Sequence, residues 1–415
     1  MTRTLGLAAA LLVGACGANV AQESPEAFRT LLATTIATGD TTRLADLVAD
    51  RCDLETADAK RDCLEATFLA IADSGRVRLA LGTLAALGAG DRSVEAHGHS
   101  LTHVIGIRAW RPGDDVAAVF KSCNVLYQSG CYHGVVQAYL TAEAVDSLRV
   151  VELCERISPD GTDHWLRFQC VHGLGHGLEM AWNWDLPKAL RGCDWLPGSW
   201  DRESCYGGAF MENAVASMPG GHHTSVTALA ATTTDDHGHQ HGPGTPTFPM
   251  RDPANPLHPC TAVDSTYHPA CYLSQGGIIL GAVEYDFAKA AVACDGAPTA
   301  VRDDCYTSLG TNASGMSVRN ATKAIALCNE GHPDWRQHCH SGVVKNFIDV
   351  SADPKDGVRY CQKLAGTPSE AMCWESVGEE LILLYTNDIP RREAVCRGIG
   401  GAGEAGCRRG ARLDG

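Results

Sequence analysis

The chain has 415 residues, a formal net charge of −15 and 19 cysteines, with 45 % hydrophobic and 6 % aromatic residues. An acidic balance without basic clusters excludes nucleic acid and anionic lipid surfaces as partners. So many cysteines point away from a reducing compartment and toward export.

The N-terminus reads as an export signal. Arg3 precedes a short apolar stretch over residues 5–13, too short for a membrane span. Leu12-Val13-Gly14-Ala15-Cys16 resembles a bacterial lipoprotein box, which implies that Cys16 becomes the lipidated first residue; ordinary cleavage a few residues on is the alternative. Gly17 in place of an aspartate implies an outer-membrane lipoprotein facing the periplasm or the cell surface. No other stretch could cross a bilayer, so membrane contact is expected only through the lipid. Residues 17–40 read as a linker, 41–216 as N-terminal repeats, 217–259 as an insertion and 260–415 as regular C-terminal repeats.

From residue 52 onward the cysteines fall into nine local pairs, 8 to 16 residues apart: Cys52/Cys63, Cys123/Cys131, Cys154/Cys170, Cys193/Cys205, Cys260/Cys271, Cys294/Cys305, Cys328/Cys339, Cys361/Cys373 and Cys396/Cys407. From Cys260 the first members step by 34, 34, 33 and 35 residues, the period of a stacked array of supersecondary units. Eight residues before the first cysteine stands Asp115, Asp146, Asp185, Asp252, Asp286, Asp353 or Asp388, or Asn320, each suited to cap a helix. Helix-favouring runs such as Asp286-Phe-Ala-Lys-Ala-Ala-Val-Ala-Cys294 follow, placing the cysteine on the third turn of a short first helix. Gly, Pro, Asp and Asn between the cysteines supply the turn. Arg167, Arg202, Arg302 and Arg336 stand three residues before the second cysteine, and a second helix is expected to open at that cysteine as Cys-Tyr or Cys-His. The pattern predicts an all-α, right-handed αα-hairpin solenoid of about ten units with nine intra-repeat disulfides.

The context Cys305-Tyr-Thr-Ser-Leu309-Gly310 and the placing of one cysteine in each helix resemble the cysteine-rich, tetratricopeptide-like or Sel-like αα-repeats of secreted bacterial proteins. The resemblance covers most of residues 40–410, is architectural, and implies a stacked helical array.

The repeat breaks twice. Residues 75–110 form a unit without cysteines, in which His97 takes the place of the second cysteine. Residues 217–259 are rich in Gly, Pro, Thr and His and carry His222, His223, His237, His239 and His241, a composition that predicts a mobile loop able to trap metal weakly.

In the second helices, His133 and Gln137 occupy the positions two and six residues after Cys131, and His172 and His176 those after Cys170. With His97 in the cysteine slot, His99 and His103 take the same two positions in the preceding unit. Residues four apart share a helix face, and equivalent positions of stacked units share one side of a solenoid. His99, His103, His133, His172 and His176 are therefore candidate ligands for a transition metal ion, zinc, copper or iron, with Gln137 beside them. Three ligands would leave an open position for water or substrate. Glu179 and Glu212 are weaker candidates for a general base or an extra ligand, with solvated charges as the plainer expectation. Trp165, Trp182, Trp184, Trp195 and Trp200 either line a groove or pack in the core. His-Glu-x-x-His, Cys-x-x-Cys-His, phosphate-binding glycine loops and Gly-x-Ser-x-Gly are absent.

Two functions compete. One is an exported metalloprotein built around the histidines. The other is a metal-free scaffold whose concave face holds a protein or peptide, for which the C-terminal units, without a polar constellation, are suited.

Overall fold

A computed structural model describes residues 24–142, 144–159, 163–217 and 248–414. Cys16 and the insertion's five histidines lie outside the described residues. Within them the protein is all-helical, without a strand, and built of helix pairs as the cysteine spacing predicts.

The capping aspartates start the helices. Asp115, Asp146, Asp185, Asp286, Asn320, Asp353 and Asp388 each accept a hydrogen bond from a backbone N–H of the first turn. Asp252 is the exception. It accepts from the Ala254 N–H within a turn, and Pro253, Pro256 and Pro259 keep the following segment from becoming a helix before the short 3₁₀ turn Cys260–Ala262. Cys260 therefore sits on that 3₁₀ turn. Cys123 lies beyond the end of the five-residue helix Val116–Phe120, because Asn124 and its neighbours turn early. Another departure is the segment expected to be a linker. Ser24 caps a helix Pro25–Thr38 that buries Leu32 and Ile36 against the first unit.

All nine expected cysteine pairs are joined: Cys52 to Cys63, Cys123 to Cys131, Cys154 to Cys170, Cys193 to Cys205, Cys260 to Cys271, Cys294 to Cys305, Cys328 to Cys339, Cys361 to Cys373 and Cys396 to Cys407. Their Cα–Cα separations are 5.4–5.7 Å. Each bond closes a short hairpin, a constraint of about 2–3 kcal/mol in the chain-entropy picture. All of these cysteines are buried except Cys63, which is half-buried.

The second helices do not open at their cysteines, as the spacing suggested. Cys63, Cys170, Cys205 and Cys407 are each the seventh residue of their helix, and Cys271, Cys305, Cys339 and Cys373 the fourth; Cys131 alone lies at the start, as the second residue. The helices begin earlier because their caps do. Thr56 accepts from the Ala59 N–H ahead of Cys63, and Asp163 from the Leu166 N–H ahead of Cys170. Asp303 and Asp304 likewise place negative charge in the first turn before Cys305.

The recurring arginine has a local task. Arg202, Arg302 and Arg336 donate to carbonyls of the inter-helix turn, those of Leu196, Ala297 and Gly331. Arg167 instead grips the Asp201 carboxylate of the next unit.

The second helices stack in chain order as a continuous layer. Ala57–Asp73 packs on Arg92–Ala109, then follow Gly130–Ala142, His164–Ala181, Ser199–Ala216, His268–Ser274, Arg302–Met316, Arg336–Ser351, Glu370–Leu384 and Gly401–Gly410. The array curls on itself: Trp165 and Trp200 share a cleft with Lys345, Glu379 and Arg409 from the opposite half. The C-terminal units do carry a polar constellation. Lys345 pairs with Glu379 at 2.7 Å, and buried Glu380 hydrogen-bonds to the Asp349 carboxyl.

Candidate metal centre

Close backbone contacts set the register of the histidine-bearing helices. A Cβ on Gly134 would stand 2.2 Å from the His103 carbonyl oxygen, and one on Gly208 1.9 Å from that of His172. No side chain fits there, so glycine lets neighbouring helices touch. The same contact recurs from Gly342 to Thr307 and from Gly410 to Glu375, each at 1.9 Å. In those units the touched residue lies two after the second cysteine, Cys305 or Cys373. His103 therefore corresponds to His133 and His172, and Leu101, not His97, stands in the cysteine slot. The expected ladder is off by one helical turn in its first unit. Three rungs replace two, with His99 below, His103, His133 and His172 in the middle, and Gln137 and His176 above.

The five histidines nevertheless converge. His99, His103 and His133 bring one ligand atom each within 4.8 Å of one another, as do His133, His172 and His176, and His103, His176 and Glu212. Adjacent rings lie 4.6–5.3 Å apart from His99 to His103, His103 to His133 and His133 to His172. The wider reach of the cluster comes from neighbouring helices contributing at different heights.

Every ring is anchored through one nitrogen. The Nδ1–H groups of His99 and His172 donate to the carbonyls of Tyr127 (2.8 Å) and Ser204 (3.2 Å). His176 Nδ1–H donates to the Glu212 carboxylate at 2.8 Å, and His103 Nδ1–H to Gln137 Oε1 at 2.8 Å. Gln137 in turn donates to the same Glu212 oxygen at 3.0 Å. His133 is reversed: Nε2–H donates to Gln169 Oε1 at 3.2 Å, and its buried Nδ1 has no hydrogen-bond partner. Because carbonyls and carboxylates only accept, these bonds fix the tautomers. The lone pairs sit on Nε2 of His99, His103, His172 and His176 and on Nδ1 of His133.

Two of those lone pairs face each other, His99 Nε2 and His103 Nε2 being 3.1 Å apart. Two acceptors at that distance repel unless a proton on one ring, which then donates to the other, or a metal ion lies between them. Two nitrogens on one tetrahedral zinc, at ~2.0–2.1 Å each, would be about 3.3 Å apart. Anchoring a ligand histidine through its far nitrogen to a carboxylate or carbonyl is also how proteins orient metal ligands.

Burial favours the neutral form of His133 and His172. It pushes His133 well below the usual histidine range, helped by the like charges His176, His172 and His99 would carry. His172 is depressed for the same reason, burial first and then His176, against the opposing Ser204 hydrogen bond. Neutral imidazole is the form that binds metal.

Glu212 and Glu179 are fully buried, contrary to the expectation of solvated charges. Glu212 is the shared acceptor just described. Neither carboxyl oxygen of Glu179 has a hydrogen-bond partner, and burial, then Glu212 and Asp185, raises its pKa well above the usual carboxylate range. Sequence spacing missed Gln169, Ser204 and Tyr127 as anchors, since two of the three contribute backbone carbonyls. Of the five tryptophans, Trp184 is core, while Trp165 and Trp200 wall the cleft. A small chamber of about 150 Å³ touches His133 and His172 directly.

Nine disulfides suit an oxidising, exported environment, and no helix of the described residues is long and apolar enough to cross a membrane. Comparison with family models, curated proteins and solved structures finds no match, so the centre is characterised by its own geometry.

Proposed function

We propose that this is an exported metalloprotein, anchored through a lipid on Cys16, whose primary ion is held by His133 Nδ1 and the Nε2 atoms of His172 and His176. Three imidazoles leave a fourth position open, and the chamber beside His133 and His172 supplies room for water or a substrate there. His99 and His103 offer a second, two-imidazole position next to it. A bound transition metal would supply Lewis acidity or an activated water, and nothing in the residue set demands more. One observation carries the reading. Four buried histidines and half-buried His99 each have one nitrogen hydrogen-bonded to an acceptor, and in overlapping groups of three they and Glu212 bring ligand atoms within 4.8 Å of one another.

Elemental analysis of untagged protein purified without chelator should find about one or two zinc, copper or iron ions per chain, matching three-ligand and two-ligand positions. The double substitution His172→Ala/His176→Ala should remove the primary ion and preserve helical content. A protein that retains no ion and takes none up on titration contradicts the reading and leaves a polar helix interface in a scaffold.

A further inference from the structure

The chamber at the histidines borders a second cavity. It shares Trp165 and Leu383 with a cleft of about 770 Å³ between the two halves of the array. The charges lining that cleft oppose those of the protein. Lys345, Arg392, Arg409 and Arg412 stand against Glu375, Glu379 and Glu380. Lys345 neutralises Glu379 at 2.7 Å. Glu380, 4 % exposed, hydrogen-bonds to the Asp349 carboxyl, an arrangement that requires a proton between them, and burial raises both groups. The shared proton leaves that pair one negative charge, so the pair and Glu375 together face three arginines, a local positive excess in a chain whose net charge is −15.

None of these arginines has a carboxylate partner among the described residues. Arg392 is 8 % exposed and is held by the carbonyls of Ala411 (3.1 Å) and Thr386 (3.4 Å), while its Nε has no hydrogen-bond partner. Keeping a guanidinium buried without a counter-charge is costly, and an anion would repay it. On the opposite wall Trp200 is 43 % exposed, and Trp165 meets Tyr132 edge-on at 5.3 Å. An exposed and a half-buried indole ring facing arginines across a cleft favour a flat ligand with a charged end. The chamber's volume of about 150 Å³ holds about five waters at ~30 Å³ each, room for the end of a ring system and not for a polymer.

We propose that the cleft binds a small aromatic carboxylate. Arg392, Arg409 and Arg412 hold its carboxylate, Trp165 and Trp200 cover its ring, and its far end enters the chamber at His133 and His172. Only the last clause rests on the metal reading.

Calorimetric titration of the full, metal-free protein with 3-(4-hydroxyphenyl)propanoate tests the cleft by itself. Its primary amide, hexanoate and inorganic phosphate serve as comparison probes. Saturable binding of the aromatic carboxylate is expected, with the other three weaker by about tenfold or more. The exposed pair Arg409→Gln/Arg412→Gln should weaken binding by about tenfold or more without changing metal content or the circular-dichroism spectrum. Trp200→Ala should weaken it too. Equal binding of acid and amide, preference for phosphate or hexanoate, or an affinity indifferent to the arginine pair would overturn the proposal. In cobalt-loaded protein the same ligand should shift the visible absorption bands. Unshifted bands with intact binding would overturn the link to the histidines. Failure to load cobalt at all would count against the metal reading alone, because the metal-free titration remains readable.

Discussion

Glu212 concentrates the chemistry of the cluster in one carboxylate. One oxygen accepts from both His176 and Gln137, and through Gln137 it also orients His103. Glu212→Gln preserves shape and removes the charge that raises the basicity of two ligands. Metal affinity in a competitive chelator titration should fall about 10–100-fold, the usual effect of losing an outer hydrogen-bond partner, with secondary structure unchanged. The pH dependence follows from His133 and His172, both held below their ordinary range by burial and neighbouring histidines. In the metal-free protein the folded state binds fewer protons here than the unfolded chain. Stability therefore rises with pH, is fully present above the unfolded value of ~6.5, and is lost as pH falls toward the depressed folded values. Thermal unfolding of metal-free protein should shift to lower temperature between pH 7 and pH 5, and the variant His133→Gln/His172→Gln should shift less. Metal binding should persist somewhat below pH 6.5, because protons compete weakly for depressed imidazoles.

At the scale of the helix pair, contact and capping divide the work. The capping aspartates, turn residues and cysteine spacing are local signals, and they made the hairpins and all nine disulfides legible in the sequence. The starts of the second helices were less so: Cys205 and Cys407 lie two turns in, because the residues before them continue the helix without a cysteine to mark it. The convergence of histidines was legible as well, since it needs only helix periodicity and stacking. Their register was not. Leu101 replaces cysteine in a unit without a staple, so the alignment had no cysteine to hang on, and His97 offered a false match one turn away. What sets the true register is Gly134 against the His103 carbonyl, a contact between units that sequence spacing does not display. Gly134→Ala and Gly208→Ala should each push two helices apart, at about 1–3 kcal/mol by analogy with overpacked cores, and weaken metal binding. Gly281→Ala and Gly315→Ala meet nothing within 4 Å; in helices they should stabilise by about 0.5–1 kcal/mol. Chemical denaturation of the four variants separates the two classes. The buried states of Glu179 and Glu212 were equally hidden, because burial in a solenoid depends on what the next unit lays over the helix.

Across the whole molecule, disulfides and ion have separate tasks. The staples hold hairpins closed one unit at a time, whereas the centre draws on four successive helices, from Arg92–Ala109 to Ser199–Ala216. Removing Cys328 and Cys339 together should cost about 2–3 kcal/mol and leave metal content unchanged, since that unit contributes no ligand. The curl that brings Arg409 opposite Trp200 was invisible in the sequence, because small rotations per unit accumulate over the array. The most direct test is anomalous diffraction at the metal edge from crystals of untagged, full-length protein. A peak bounded by His133 Nδ1, His172 Nε2 and His176 Nε2 at ~2.0–2.1 Å, if the metal is zinc, is the predicted result. No peak among the five histidines, or metal found only at His222, His223, His237, His239 and His241, would contradict it.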